Sequence, residues 1–429
     1  MAKWLRPVVP VLVVVLLAAA CGQKSGVAGS EPSGDGDTTQ PTSGGGTTVP
    51  AAREAGPNDT SGVTDNEIVI GIHAPVTGAS PIPQTTFDTG KDIYWDFLAE
   101  SDPEALGGRK VRVVFRDDEF NPSRAVQVCR EMVENENAFV LVGGGGADQI
   151  TACAKYASDA GVPYFSAGVN EEGLTALSSY FAVSLTYAQQ VPLLIDLIKQ
   201  LGAQKVAAVV TDTPSFNDAH DAFVAAAKAA DLDLVADDSI NKTASEAEAL
   251  SEINKLKQAG AEVVFLLSSP LVFLGLASSA RNQDYSPTFV GPGITSGLNA
   301  VMNFGCPAVG NSQFFSPFPG LDVMDELDPD YLPAYAEFGG SAKVDDIGIA
   351  LWGLNKTIAL MFEATPKLGR AALMDTIETS EGFASDVYPP VAYTPKKHFG
   401  GTGAHQLKAD CPAKQFVTAA QFVELKSGE

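Results

Sequence analysis

FVLVGGGGADQITACAKY (residues 139–156) is an apolar run, then four glycines, then a segment with helical spacing. A strand that ends in a glycine turn and opens a helix is a unit of parallel α/β architecture and a common cradle for phosphate. The dinucleotide fingerprint fails here, because counting from Gly143 puts Asp148 where the third glycine is needed, and counting from Gly144 puts Gln149 there. The run also follows the second strand of its unit, whereas that fingerprint follows the first. No GxxxxGK[ST] loop occurs anywhere. The glycines are therefore expected to form a tight turn at the edge of a cleft, exposing backbone N–H groups at a helix start.

Strand-like runs alternate with amphipathic helical runs on both sides of this stretch. IVIGIHAP (68–75), VRVVFRDD (111–118), PYFSAG (163–168), KVAAVVTD (205–212), VVFLLS (263–268) and PTFVG (287–291) read as buried strands. A weak internal repeat relates 111–168 to 232–293. Each half has a strand ending in an acidic pair (Asp117–Asp118, Asp237–Asp238), a helix, a strand ending in small residues, a helix, and a third strand running into a small-residue turn. Independent convergence on a βαβαβ unit is the alternative account. Either way, each half offers the carboxyl ends of its strands as a ligand-ready edge.

The ends and the composition set the compartment. Residues 1–20 carry Lys3 and Arg6, a short apolar core and small residues, the pattern of a secretory signal; 8–20 is too short to span a bilayer. Cys21 follows at once, as in a bacterial lipobox, although Ala18 stands where leucine is preferred. The alternative is ordinary cleavage leaving an unmodified thiol. Residues 21–65 are rich in Gly, Ser, Thr and Pro and read as a flexible linker with a reach of about 35–40 Å. The rest is long enough for two lobes. The formal charge of −24 disfavours nucleic acid, whose binding rests on cationic side chains. Beyond Cys21 the cysteines are Cys129, Cys153, Cys306 and Cys411, which allow three pairings. A doubly wound strand order 2-1-3-4 would place the helices of Cys129 and Cys153 side by side, leaving Cys306 with Cys411.

Enzyme signatures are missing. There is no HExxH, CxxC or GxSxG, and GITSG (293–297) has threonine at the central position. His398, His405 and Cys411 are the nearest approach to a metal set, in a glycine-rich region where surface polar roles are commoner. No cofactor and no metal are expected.

The order of motifs resembles the solute-binding proteins of ABC transporters, in the branched-chain amino acid and amide class. The carrying residues are IVIGIHAPVTG (68–78), Gly90, VVFRDDEFNPSRAV (113–126), VLVGGGGADQ (140–149), AGVPYFSAGVN (160–170), VTDTPSFNDA (210–219), FVGPG (289–293) and YTPKKHFGG (393–401). The resemblance covers essentially everything after residue 66. It implies a type I periplasmic-binding-protein fold: two Rossmann-like lobes, 66–185 plus 317–384 and 186–316 plus 385–429, with three crossovers near 184–189, 316–319 and 383–385 and a ligand cleft between them. It also implies ABC permease and ATPase partners, and contact with the membrane through the lipid anchor only. The function expected is capture of a small molecule by an extracytoplasmic, membrane-anchored lipoprotein; the alternative is a sensor of the same fold with no transport role.

Ligand residues are carried over by position. They are Ala147, Asp148 and Gln149 after the glycines, Gly168 and Asn170 on the next turn, Tyr187 near the first crossover, and Phe216, Ser269 and Gly293 from the second lobe, with Pro83 from the first. The departures matter. Asp148 stands where amino-acid binders place carboxylate-holding groups; it either caps its helix or faces the cleft, where it would favour a hydroxyl, amine or amide over a carboxylate. Gly293 replaces the acid that receives an ammonium, and Pro83, Ser269 and Pro270 replace tyrosines. A buried ammonium without an acidic partner is costly. The expected ligand is therefore an apolar or neutral solute, such as an aromatic, an amide or a small polyol, and not an ordinary branched-chain amino acid.

Overall fold

The computed structural model describes residues 59–168, 170–342 and 344–426. The leader, Cys21 and most of the expected linker lie outside the described residues. Residues 59–426 build two lobes, each around a sheet of mainly parallel strands.

The first sheet holds β1 (Glu67–Ala74), β2 (Lys110–Asp117), β3 (Val140–Gly143), β4 (Tyr164–Ser166) and β5 (Tyr180–Ala182), in the order β2-β1-β3-β4-β5. The second holds β6 (Lys205–Thr211), β7 (Asp233–Ile240), β8 (Val263–Leu267), β9 (Thr288–Pro292), β10 (Ser312–Ser316), β11 (Gly403–Asp410) and β12 (Gln415–Glu424). Its order is β12-β11-β10-β9-β8-β6-β7, with β11 and β12 antiparallel. Without that hairpin both sheets read 2-1-3-4-5, so the weak sequence repeat corresponds to one topology used twice. The acidic pairs are not equivalent, however. Asp117 ends β2 and accepts backbone N–H bonds from Val76 and Glu119, whereas Asp237 and Asp238 lie inside β7 and pair with His220 and Lys255.

The helices form where caps and apolar spacing agree. Asn121 accepts from the N–H groups of Ser123 and Arg124 to start Pro122–Glu134, with proline in the first turn. Ser245 and Glu248 make a reciprocal capping box at Glu246–Ala259. Helix Asp346–Ala364 is apolar on nearly every face, as befits a helix enclosed by protein. By length and composition it could cross a membrane, but two-thirds of that window is buried in the core. Its Trp352 indole donates to Asp328 at 2.8 Å. It packs beside helix Gln84–Ser101, which brings the chain back to the first lobe after β10.

The chain's first described segment is fastened at the amino end of β3. Arg370, at the start of helix Arg370–Thr379, donates to the carbonyls of Ala138 and Phe139 and to the carboxylate of Asp59 at 2.8–3.0 Å.

Two disulfides are formed. Cys129 and Cys153 join Pro122–Glu134 to Ala147–Asp159, with Cα atoms 6.1 Å apart. Cys306 and Cys411 join the end of helix Leu298–Gly305 to the turn between β11 and β12, Cα atoms 5.6 Å apart. His398 and His405 are buried and not at the surface, and Cys411 is in the second bridge: His398 bonds the Tyr180 carbonyl and Glu378, and His405 bonds the Val387 carbonyl, its pKa lowered by burial to about 4. The second bridge spans 105 residues and the first only 24. In chain-entropy terms, replacing Cys306 and Cys411 by alanine should destabilise by about 4–5 kcal/mol, and Cys129 with Cys153 by about 3. Urea titration of the two double variants checks the order; equal losses would show that packing at the buried 129–153 pair outweighs loop closure.

Candidate functional site

The carboxyl ends of both sheets face one cleft, and the glycine run forms part of its wall. Behind that wall His73, at the end of β1, is held between Asp118 (Nδ1 to Oδ2, 2.8 Å) and the Tyr164 hydroxyl (Nε2 to Oη, 2.8 Å), and all three are buried. A Cβ on Gly143 would lie 1.6 Å from that hydroxyl, so only glycine lets the strand pass. Gly146 is less strictly constrained: a Cβ there would meet Gln149 Oε1 at 2.1 Å, the end of a side chain that can move. These two glycines therefore make room for a buried polar triad and for the Gln149 amide.

Two neighbouring chambers occupy the cleft, of about 80 Å³ and about 170 Å³. Gly144, Gly145, Pro270, Ile294 and Thr295 border both. The smaller chamber is lined from the first lobe by the loop 144–150 and Gly168, and from the second by Thr211, Thr213, Phe216, Lys242 and Ser269, with Tyr187 from the connection between the sheets. It gathers Ala147, Asp148, Gln149, Gly168, Tyr187, Phe216 and Ser269 of the residues expected from the sequence. Phe216 meets Tyr187 edge to face, ring centres 5.9 Å apart.

The other three expected residues lie elsewhere. Pro83 precedes helix Gln84–Ser101 and borders a separate surface cavity with Asn299 and Lys414. Gly293 packs under the cleft floor, where a Cβ would meet Leu298 and Phe314 at 2.8 and 3.0 Å; its neighbours Ile294 and Thr295 make the wall instead. Asn170 is wholly buried, and neither its amide nitrogen nor its oxygen has a protein partner.

Of the two roles its sequence position suggests, Asp148 does not cap its helix, but it does line the smaller chamber. The N-cap of helix Ala147–Asp159 is Gly146, and Asp148 sits inside the first turn. Its Oδ1 accepts from the hydroxyls of Thr213 and Ser215, both at 2.7 Å, and Lys242 Nζ lies 3.9 Å from Oδ2. The carboxylate therefore bridges the lobes. A second bridge runs from the Glu171 N–H to Asp218 Oδ2 at 2.6 Å, and a third from the Asn299 N–H to Asp346 Oδ2 at 2.9 Å. Thr213, Ser215 and Lys242 were not foreseen from the sequence; the only hint is the VTDTPS motif, whose threonine and serine follow β6 as the glycines follow β3.

The larger chamber adds residues that no motif announced. Helix Asp346–Ala364 contributes Asp346, Ile347, Ala350, Leu351 and Leu354, opposite Leu298 and Ala300. Asp346 is the one acid on this wall. Burial pushes its pKa up to about 7, the Asn299 N–H opposes the shift, and Asp345 beside it adds to it.

Two outcomes follow from these bridges. Alanine at Asp148 should remove a charge-assisted interlobe contact worth about 1–2 kcal/mol after allowing for its partial exposure, and hydrogen exchange at 213–216 should quicken; unchanged protection would deny the bridge any role. Because the Asp346 pKa is raised on folding, its ionisation weakens the folded state progressively as pH rises from about 4 through about 7, by up to about 4 kcal/mol. Asp346→Asn should therefore flatten the fall in melting temperature between pH 5 and 8, measured against the unsubstituted protein.

Comparison with known proteins agrees with this geometry. A curated amino acid binding protein of Pseudomonas aeruginosa is 26% identical over 209 residues, which is 46% of this chain and 53% of that protein, so the chain matches about half the relative's length. Among solved structures, a fatty acid ABC transporter substrate-binding protein from Thermomonospora curvata superposes with a TM-score of 0.72 at 16% identity, covering 86% of this chain and 95% of that one. A solute-binding protein of an ABC transporter from Rhodopseudomonas palustris BisB5, in complex with 3,4-dihydroxybenzoic acid, gives 0.70 at 16% identity, covering 84% and 99%. The family model described as periplasmic binding protein matches residues 67–414, and the chain belongs to that family of non-enzymatic binders.

Proposed function

We propose that the protein captures a small molecule between its lobes outside the cytoplasm and hands it to an ABC importer through that importer's permease and ATPase subunits. In this reading residues 1–20 are removed, Cys21 carries the lipid anchor, 21–65 is the tether, and the segments 66–185 plus 317–384 and 186–316 plus 385–429 close as two lobes. The observation that carries it is the cleft itself: both sheets turn the carboxyl ends of their strands to the same two chambers. Family membership and the solved neighbours, whose described ligands range from fatty acid to an aromatic acid, support the binding role.

The solute is not an ordinary branched-chain amino acid. An α-ammonium buried in the smaller chamber needs a free carboxylate. Asp148 accepts two interlobe hydroxyls on Oδ1 and faces the Lys242 ammonium at 3.9 Å on Oδ2, and the position of the missing acid is Gly293. Phe216, Tyr187 and the apolar larger chamber suit a less charged solute. Native mass spectrometry of the purified chain for a co-purified ligand, followed by a thermal-shift panel, tests this. A true ligand at 100 times its dissociation constant should stabilise by about 2.7 kcal/mol. Tight binding of leucine or valine by isothermal titration would overturn the ligand class, and silence across a broad panel would overturn the binding role.

A further inference from the structure

We propose that closure of the two lobes is proton-linked: acidic side chains gathered at two of the lobe junctions make the bridged arrangement take up protons, so low pH holds the cleft shut and rising pH frees it. The proposal rests on the two-lobe capture reading and adds how capture is regulated.

At one junction the Glu171 N–H, on the connection between β4 and β5, donates to Asp218 Oδ2 at 2.6 Å. Asp218 belongs to the first turn of helix Asn217–Ala229 in the second lobe. The bond brings Asp218 up against the carboxylates of Glu171 and Glu172 from the first lobe. Glu171 is held in place by the Thr186 hydroxyl, which donates to its Oε1 at 3.1 Å. Burial raises the Asp218 pKa, the N–H groups of Glu171 and Ala219 oppose the rise, and the two glutamates add to it. Of the other titratable groups around it, Tyr187 is kept protonated by burial, His220 is turned to Asp221 and Asp237, and Lys155 stands by Gly173.

At another junction Asp346 opens helix Asp346–Ala364, and its Oδ2 accepts the Asn299 N–H at 2.9 Å. It does for helix Leu298–Gly305 what that helix's own N-cap, Gly297, cannot do without a side chain. Asp346 is 7% exposed. Asp345 stands beside it, Tyr331 is close to both acids with a hydroxyl that burial keeps protonated, and Asp88 and Lys414 share the outer cavity with Asp345. On the chamber side His73 and Tyr388 are already bonded. No lysine or arginine among the described residues forms an ion pair with Asp218, Glu171, Glu172, Asp345 or Asp346. A buried carboxylate without a cation favours its neutral form, in line with the pKa of about 7 at Asp346. Parting the lobes returns these acids to water, where they ionise near pH ~4. The bridged state therefore binds more protons from about pH 4 to about pH 7, and its advantage is lost as pH rises through that window. The Asp148 bridge is of another kind, since Lys242 faces it from the second lobe. Any solute that prefers the closed cleft gains from acid by the same factor.

The test needs no solute. Amide hydrogen exchange of the purified full chain, from pH ~5 to ~8, reads the bridging donors themselves, the N–H groups of Asn299 and Glu171, against Ile70 in β1 and Val209 in β6. Corrected for intrinsic rate, both donors should be less protected than the strand amides, and their protection should fall about tenfold or more between pH ~5 and ~7. One closing motion makes both bonds, so Asp346→Asn and Asp218→Asn should each lessen the fall at both donors; either variant decides if the other does not fold. Protection that changes less than about twofold over this range overturns the linkage. Protection equal to that of the strand amides overturns it too, because the lobes would then part only on unfolding. An effect of each variant confined to its own donor would reveal local fraying and likewise sink the proposal. All of these outcomes bear on the proton linkage alone, whereas silence of every solute in the wider panel bears on the binding role.

Discussion

A single carboxylate, that of Asp148, sets the terms on which the two lobes meet. Two hydroxyls from the second lobe converge on one of its oxygens at 2.7 Å. A charge-assisted pair of this kind is directional, so it fixes the separation of helix Ala147–Asp159 from the turn after β6 as well as joining them. Both hydroxyls fall on Oδ1, so Oδ2 stays on the chamber side with only the Lys242 ammonium near it, at 3.9 Å.

Closure in such a cleft is an equilibrium, and a solute moves it only by contacting one state better than the other. The interlobe bonds through Asp148, Asp218 and Asp346 all favour the bridged arrangement without any solute. They lower what a ligand must contribute, and they leave its own contacts with the cleft to provide the discrimination. Two of the three bridges lie at the polar side, while Asp346 sits beside the apolar chamber, where its burial makes it sensitive to pH.

Much of the fold was legible because parallel strands buried on both faces read as unbroken apolar runs. Thus β1, β3, β4, β6, β8 and β9 stand out, whereas β2, expected as a buried strand, and β7 are partly buried edge strands that the acid-terminated repeat revealed instead. β5 escaped notice because three residues, Tyr180–Ala182, are too few to show a period. β10 and the β11–β12 hairpin lie in stretches whose polar residues are satisfied by pairing with each other, so their pattern is weak. At the site, the loop after the glycines was readable since a helix start at a strand end has one geometry. Thr211, Thr213 and Lys242 were not, for a hydroxyl's direction depends on the partner lobe. The apolar chamber was hidden for a different reason. Its wall belongs to a helix some two hundred residues downstream of the glycines, and a helix apolar on all sides announces burial without saying against what.

Arg370 gives the molecule a polarity along its first sheet. Its guanidinium clamps Asp59 to the carbonyls just before β3, while the chambers open just after that strand's other end. A force pulling on Asp59 would therefore be taken up at the amino end of the sheet's middle strand, with two strands on either side to share it, and away from the end of that strand that borders the cleft.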